Sequence, residues 1–170
     1  LNQLEKVDLA IEQNKKAITI KESLEEKKSL GVSNFVMANT YYTLGDFTQA
    51  LEYAIKSVGV FRIYEMSNFE GKLLTLIADL YMLLGQYDKM NKYIHEAESI
   101  MQNFNESFIM GKLELMKSRN CLHTNKFNDS LEHIDNCIDL FEMAEQRPYL
   151  IQAHIEKINI LIEMNKNSKA

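Results

Sequence analysis

The sequence is poor in the residues that interrupt or cross-link a chain. Its 170 residues include one proline, Pro148, six glycines and no tryptophan. Because proline and glycine are the least favourable residues in a helix interior, their scarcity leaves room for long helices. The two cysteines, Cys121 and Cys137, are too few for a disulfide framework. We therefore expect a helical domain in a reducing compartment, the cytoplasm.

Several other classes of protein lack their sequence signatures here. No apolar run reaches the roughly 20 residues that a transmembrane helix needs. The first ten residues, LNQLEKVDLA, do not have the layout of a signal peptide. The net charge is −5, and no basic stripe alternates with aromatic residues, which disfavours nucleic acid as a partner. A glycine-rich phosphate loop is also absent. We expect no membrane contact, no nucleic acid and no cofactor for this segment.

A turn followed by an aromatic residue recurs every 40 residues. It is LGDF at 44–47, LGQY at 84–87 and TNKF at 124–127. Three glycines keep the same interval: Gly31, Gly71 and Gly111. A repeated position keeps its size from one copy to the next, as two closely packed helices require. The fixed period therefore predicts a helical repeat.

The repeat predicts three helix pairs between two single helices. We predict repeats at 31–64, 69–104 and 108–144, with half-units at 4–27 and 147–170. In each pair a helix A precedes the turn and a helix B follows it. Since the array stops in mid-unit and the chain lacks an initiator methionine, we expect a single domain from a longer protein.

Local signals predict helix starts and core residues. Ser67 or Asn68 and Asn105 or Ser107 are suited to cap the second and third A helices. Leu44, Tyr81 and Leu131 are expected in the core, where truncation to alanine costs a few kcal/mol.

The first unit resembles the tetratricopeptide repeat. Its small, aromatic and glycine residues match the family pattern at Ala38, Tyr41, Gly45, Phe47, Ala50, Ala54 and Ser57. The second unit matches with Met90 in place of alanine, and the third is degenerate. The 40-residue period is similar to that of the longer subclass in bacterial signalling proteins and kinesin light chains. The resemblance implies an all-α fold, a right-handed α-solenoid of antiparallel helix pairs.

The resemblance also implies a concave groove lined by the A helices, which binds a protein or peptide. The positions that would face this groove are Phe35, Asn39, Tyr42, Thr75, Asp79, Met82, Leu115, Arg119, Leu122 and His123. Asn39, Asp79 and Arg119 share one register, so they would form a polar row between apolar rows. Such a surface suits an extended peptide or an amphipathic helix.

Metal binding and catalysis have weaker support. Cys121 with His123, and His133 with Cys137, offer zinc-ligand residue types. Both cysteines, however, occupy repeat positions where Tyr81 and Ala97 pack, and free cysteine behaves as a small apolar residue. No nucleophile has a base placed beside it by the repeat. We expect no metal and no enzymatic activity.

Two functions remain open at this level. The first is a non-catalytic protein- or peptide-binding module, the sensory or scaffold region of a larger bacterial signalling or regulatory protein. The second resembles the peptide-pheromone-sensing regulators, including response-regulator phosphatases and their transcription-factor relatives. Both truncated ends, Val7–Ile18 and Tyr149–Ile162, would expose apolar faces. We therefore also expect homodimerisation through a repeat end.

Overall fold

The structure is a computed structural model that describes residues 3–167, with side chains described from residue 9 onward. Within that range there are eight α-helices and no strand. They are α1 (Gln3–Ser23), α2 (Lys27–Leu44), α3 (Phe47–Ile63), α4 (Ser67–Leu83), α5 (Tyr87–Met101), α6 (Ser107–His123), α7 (Phe127–Met143) and α8 (Arg147–Asn167). The side chain of Val7 and the last three residues of the predicted half-unit 147–170 lie outside the described residues.

The helices form the predicted all-α solenoid. Packing is most extensive within the antiparallel pairs α2–α3, α4–α5 and α6–α7, while α1 packs on α2 and α8 on α7. Successive pairs meet through α3–α4 and α5–α6, and α4 also contacts α6 directly. The even-numbered helices are the A helices of the repeat and the odd-numbered ones the B helices. The side chains of the A helices can therefore meet across the boundary between pairs.

The turns repeat every 20 residues, twice as often as the sequence pattern indicates. Left-handed backbone occurs at Glu25, Gly45, Glu65, Gly85, Asn125 and Glu145. The residue after each one donates its N–H to a carbonyl five residues earlier, as Asp46 does to Tyr41 at 3.0 Å. This hydrogen bond closes the last helical turn and reverses the chain. The α5–α6 connection, residues 102–106, lacks this geometry and is longer.

The glycines at the 40-residue interval are sites of close helix contact. A Cβ atom on Gly31 would lie 2.6 Å from Cγ1 of Val60, and one on Gly111 would lie 2.7 Å from the Phe141 ring. Gly71 faces Met101 in the same way. Helices α2, α4 and α6 therefore each approach the B helix of their pair at a point where no side chain fits. The hydroxyl of Ser57 bonds the Gly31 carbonyl there, at 2.7 Å.

Several local expectations were wrong. Helices α4 and α6 begin at Ser67 and Ser107, and the residues before them, Met66 and Glu106, make no side-chain capping bond. Helix α2 begins at Lys27 rather than at residue 31, because the Glu25 turn ends four residues earlier than the glycine signal suggests.

The core prediction also needs one correction. Leu44 is 43% exposed at the end of α2, so it is not a core residue. Tyr81 is buried and Leu131 is half-buried against the core of the third pair. In that pair two serines, Ser118 and Ser130, replace the alanines of the first pair. Each hydroxyl donates to the other residue's carbonyl at 2.8 Å, so both remain satisfied in the core.

Candidate binding cleft between the A helices

Side chains from all four A helices line one cleft of about 330 Å³. Tyr42 comes from α2, Asp79 and Leu83 from α4, and the remaining walls from α6 and α8. Those last contributors are Lys112, Leu115, Met116, Arg119, Tyr149 and Gln152. The lining combines apolar side chains with a few polar groups, as small binding sites do.

The polar groups of the cleft form two pairs that each join neighbouring A helices. The Tyr42 hydroxyl donates to Oδ2 of Asp79 at 2.6 Å, which links α2 to α4. Arg119 donates two N–H groups to the carboxylate of Glu156, one of them at 2.9 Å, and this pair links α6 to α8. A bidentate contact of this kind fixes the guanidinium plane. Between α4 and α6 the described polar links lie at the helix starts, where Asn68 and Lys72 contact Glu106 just before α6.

These contacts hold both groups in one protonation state near neutral pH. Burial, together with donation to Asp79, raises the pKa of Tyr42 well above its usual range. Burial lowers the pKa of Arg119, but the hydrogen bonds to Glu156 and the nearby Asp79 charge outweigh it and raise the pKa overall. The cleft therefore presents the charged Arg119 guanidinium near Asp79, whose carboxyl group already accepts one hydrogen bond from Tyr42.

The cleft crosses the A helices obliquely. It uses the last turn of α2 at Tyr42, the second half of α4 at Asp79 and the first two turns of α8 at Tyr149 and Gln152. Helix α6 contributes residues between these extremes, from Lys112 to Arg119. The contributing position thus moves toward the helix start with each successive repeat, which is the result of superhelical rotation.

Four of the predicted site residues line this cleft, and six lie elsewhere. The four are Tyr42, Asp79, Leu115 and Arg119. Thr75 is 1% exposed and its hydroxyl bonds the Gly71 carbonyl, so burial removes it from any contact surface. Asn39 is exposed, and its amide donates to the Phe35 carbonyl at 3.0 Å. The predicted polar row therefore keeps Asp79 and Arg119 only.

The remaining predicted residues pack against the core or against other helices. The Phe35 ring meets Phe61 edge-on at 6.2 Å between centroids. Met82 and Leu122 are half-buried beside the two core clusters. His123 lies edge-on against the Tyr87 ring of α5, with centroids 4.1 Å apart.

The zinc-ligand residue types do not converge. Cys137 is fully buried, and burial raises the pKa of its thiol to about 12. His133 contacts Glu114 through Nδ1 at 2.7 Å, within a cluster that also holds Lys117. In the part of the chain that the structure describes, no three His, Cys, Asp or Glu side chains are grouped to hold a metal ion.

Comparison with known proteins identifies the repeat. The family model described as tetratricopeptide repeat matches residues 33–62, which cover most of α2 and α3. This match covers one repeat unit of the chain. No curated protein matches it by sequence. None of the described helices is long and apolar enough to cross a membrane.

Solved structures resemble the chain over nearly its whole length. Aspartyl phosphate phosphatase F from Bacillus subtilis superposes with a TM-score of 0.81 at 20% identity, covering 98% of this chain. A Rap protein complexed with competence and sporulation factor and the apo form of RapI each give 0.62, at 13% and 14% identity, over 96% and 95% of this chain. The chain spans 45%, 50% and 64% of those three proteins, respectively. At these identities the likeness establishes the shared fold.

Five lining residues of this cleft were not among the predicted positions: Leu83, Lys112, Met116, Tyr149 and Gln152. Lys112 and Met116 lie about one helical turn before the predicted positions Leu115 and Arg119, whereas Tyr149 and Gln152 lie on α8, where no groove position was predicted. A register that moves toward the helix start with each repeat would have pointed to the first turns of α8, where Tyr149 and Gln152 lie.

Proposed function

We propose that the cleft binds a peptide segment and that the chain is the binding module of a larger bacterial signalling or regulatory protein. The observation that carries the proposal is the convergence of four A helices on one cleft with Asp79 and Arg119 in its walls. A peptide backbone offers both a donor and an acceptor at each residue. Asp79 would accept from such a backbone and Arg119 would donate to it, while Leu115 and Tyr149 supply apolar area.

The comparisons favour a second candidate, a peptide-pheromone-sensing regulator. The structure that superposes at a TM-score of 0.81 is named an aspartyl phosphate phosphatase, and another was solved with competence and sporulation factor. This chain covers only 45% and 50% of those two proteins, so each of them contains further residues outside the compared region. On this second proposal the ligand is a short peptide taken up from outside the cell, rather than a segment of a cytoplasmic protein.

We infer binding rather than catalysis at the cleft. A general acid or base works best when its pKa lies near the working pH, and the pKa values of Tyr42 and Arg119 are both raised further from neutrality. The raised pKa of Cys137 likewise disfavours a thiolate nucleophile. Both cysteines are free, which supports a cytoplasmic location.

The test is ligand capture by matched variants. The immobilised chain is exposed to source-cell lysate and, separately, to culture medium, and bound peptides and proteins are identified by mass spectrometry. The cleft variants are Asp79→Asn and the double change Arg119→Gln with Glu156→Gln. The double change removes a charge pair without leaving one charge buried and unpaired. Arg62→Gln is the control, because Arg62 also pairs with glutamates, Glu70 and Glu96, outside the cleft.

The expected result is a ligand that the parent and Arg62→Gln retain and both cleft variants lose, by about tenfold or more for a buried charged contact. A ligand from the lysate supports the first proposal, and a short peptide from the medium supports the second. Equal capture by all variants, each shown to be folded by circular dichroism, would contradict the assignment of the site to this cleft.

A further inference from the structure

The boundary between α5 and α6 differs from the other helix boundaries. Among the described residues, consecutive helices pack least extensively there. The connection between the two helices, residues 102–106, also lacks the left-handed residue that closes the other turns. Helix α6 packs most extensively on α7, its partner in the third pair. The second and third pairs therefore meet through little packed surface between α5 and α6.

The side-chain contacts along α5–α6 each involve a polar or charged residue of α6. They are Lys117 with Glu98, Asn120 with Asn91 and His123 with Tyr87. The Asn120 amide donates to Oδ1 of Asn91 at 3.1 Å. Residues spaced by three lie on neighbouring turns of one helix face. This face of α6 is therefore polar from the middle of the helix to its end.

The same repeat positions are apolar at the preceding boundary, between α3 and α4. Forty residues before Lys117, Glu98, Asn120 and Asn91, the sequence has Ile77, Val58, Leu80 and Leu51. Ile77 and Leu80 are fully buried, and all four belong to the first core cluster or pack against it. Apolar burial is the main attraction between packed helices, whereas a partly exposed ion pair adds little. The α5–α6 boundary is therefore held less strongly than α3–α4.

The cleft spans this weak boundary. Tyr42, Asp79 and Leu83 line it from the first two pairs, and residues of α6 and α8 line it from the other side. Helix α6 also contacts α4, and it contributes Leu113 and Met116 to the first core cluster. This apolar contact joins the two sides at the buried end of the cleft, where Met116 lies.

We propose that the α5–α6 boundary is a hinge between the first two helix pairs and the third pair with α8. A small, polar interface within one chain leaves its two parts free to move relative to one another. Rotation about the α4–α6 contact changes the distance between the cleft walls, so the cleft closes around a bound segment. The hinge rests on the proposed function for its purpose alone, because the motion belongs to the chain without a peptide.

Distances between pairs of spin labels, measured by double electron–electron resonance on the chain without a peptide, test the hinge. Labels at Thr48→Cys on α3 and Asp139→Cys on α7 report across it. Labels at Thr48→Cys and Asp88→Cys on α5 report within one side. All three positions are exposed. The native cysteines are removed as Cys121→Ser and Cys137→Ala, so that only the introduced ones carry labels.

A boundary variant installs the apolar residues of the α3–α4 boundary. It combines Asn91→Leu, Glu98→Val, Lys117→Ile and Asn120→Leu. A milder variant, Asn91→Leu with Asn120→Leu, leaves the ion pair in place. The control is Arg62→Gln, which breaks ion pairs to Glu70 and Glu96 within one side of the hinge. Circular dichroism establishes that each variant is folded.

In the parent, the distance distribution across the hinge should be about twofold wider than the distribution within one side. The boundary variant should narrow it to the same width, and Arg62→Gln should leave it wide. Equal widths in the parent overturn the hinge, whether or not the variants fold. A distribution that stays wide in the folded boundary variant, or in the milder variant where the first does not fold, also overturns it, since the motion then lies elsewhere. No outcome involves a peptide, so failure of the hinge and failure of the proposed function are separate results.

Discussion

Replacing Gly111 by alanine tests the close contact on which each helix pair depends. The added methyl carbon would lie 2.7 Å from Cδ1 and Cε1 of Phe141, about 1 Å inside the optimal separation of two carbon atoms. Overpacking of this kind costs about 1–3 kcal/mol. Alanine recovers about 0.5–1 kcal/mol through its better helix propensity. We expect a net loss of about 1–2 kcal/mol in the free energy of unfolding.

Three other glycines provide an internal scale for this effect. Gly31→Ala should cost a similar amount, because it meets the β-branched Val60, whose side chain has little rotational freedom. Gly71→Ala should cost less, since the flexible Met101 can move aside. Gly59→Ala is the matched control. It lies within helix α3 with no atom within 4 Å of an added Cβ, so it should gain about 0.5–1 kcal/mol.

The assay is urea unfolding monitored by circular dichroism. Transition midpoints are compared among variants that share the same dependence of the unfolding free energy on urea concentration. The expected order of stability is Gly59→Ala first, then the parent, Gly71→Ala, and last the Gly31 and Gly111 variants. If Gly111→Ala proved as stable as Gly59→Ala, the close approach of α6 to α7 would be refuted.

Three further predictions concern a turn, a buried hydroxyl and a serine pair. Glu65→Gly should raise the unfolding free energy by about 1 kcal/mol, because Glu65 holds a left-handed turn at φ 52°; an unchanged urea midpoint would contradict this. Above pH about 10 the unfolded chain ionises its tyrosines while the raised pKa keeps Tyr42 protonated. Parent stability should therefore fall with rising pH more steeply than that of Tyr42→Phe, and equal slopes in pH-dependent unfolding would refute it. Ser118→Ala and Ser130→Ala should each lower the free energy of unfolding by about 0.5–1.5 kcal/mol. In a double-mutant cycle the double variant should lose less than the sum of the two, since alanines fill these positions in the first pair. Strictly additive losses would argue against coupling of the two serines.

The solenoid was predictable because its packing depends on residue size at a fixed interval. Gly31, Gly71 and Gly111 are small because a B helix lies directly on them, so the period was visible in the sequence. The turns were less visible. Glutamates occupy left-handed turns at Glu25 and Glu65, and glutamate is not a turn signal, so the 20-residue spacing and the start of α2 were missed.

The cleft was only partly predictable because superhelical rotation changes which turn of each A helix faces it. A fixed register selects Asp79 and Arg119, which line the cleft and lie near the middle of the array. It fails toward the ends, where Asn39 turns to solvent while Tyr149 and Gln152 enter the cleft. The angle between successive pairs arises from the packing of all their side chains, so one aligned pattern does not contain it.

Amide hydrogen exchange of the chain with its captured ligand tests the central claim most directly. If the ligand occupies the cleft, protection should increase at the end of α2, in the second half of α4, in the middle of α6 and in the first turns of α8. The B helices α3, α5 and α7 should change little. Protection confined to those B helices would contradict a binding cleft between the A helices.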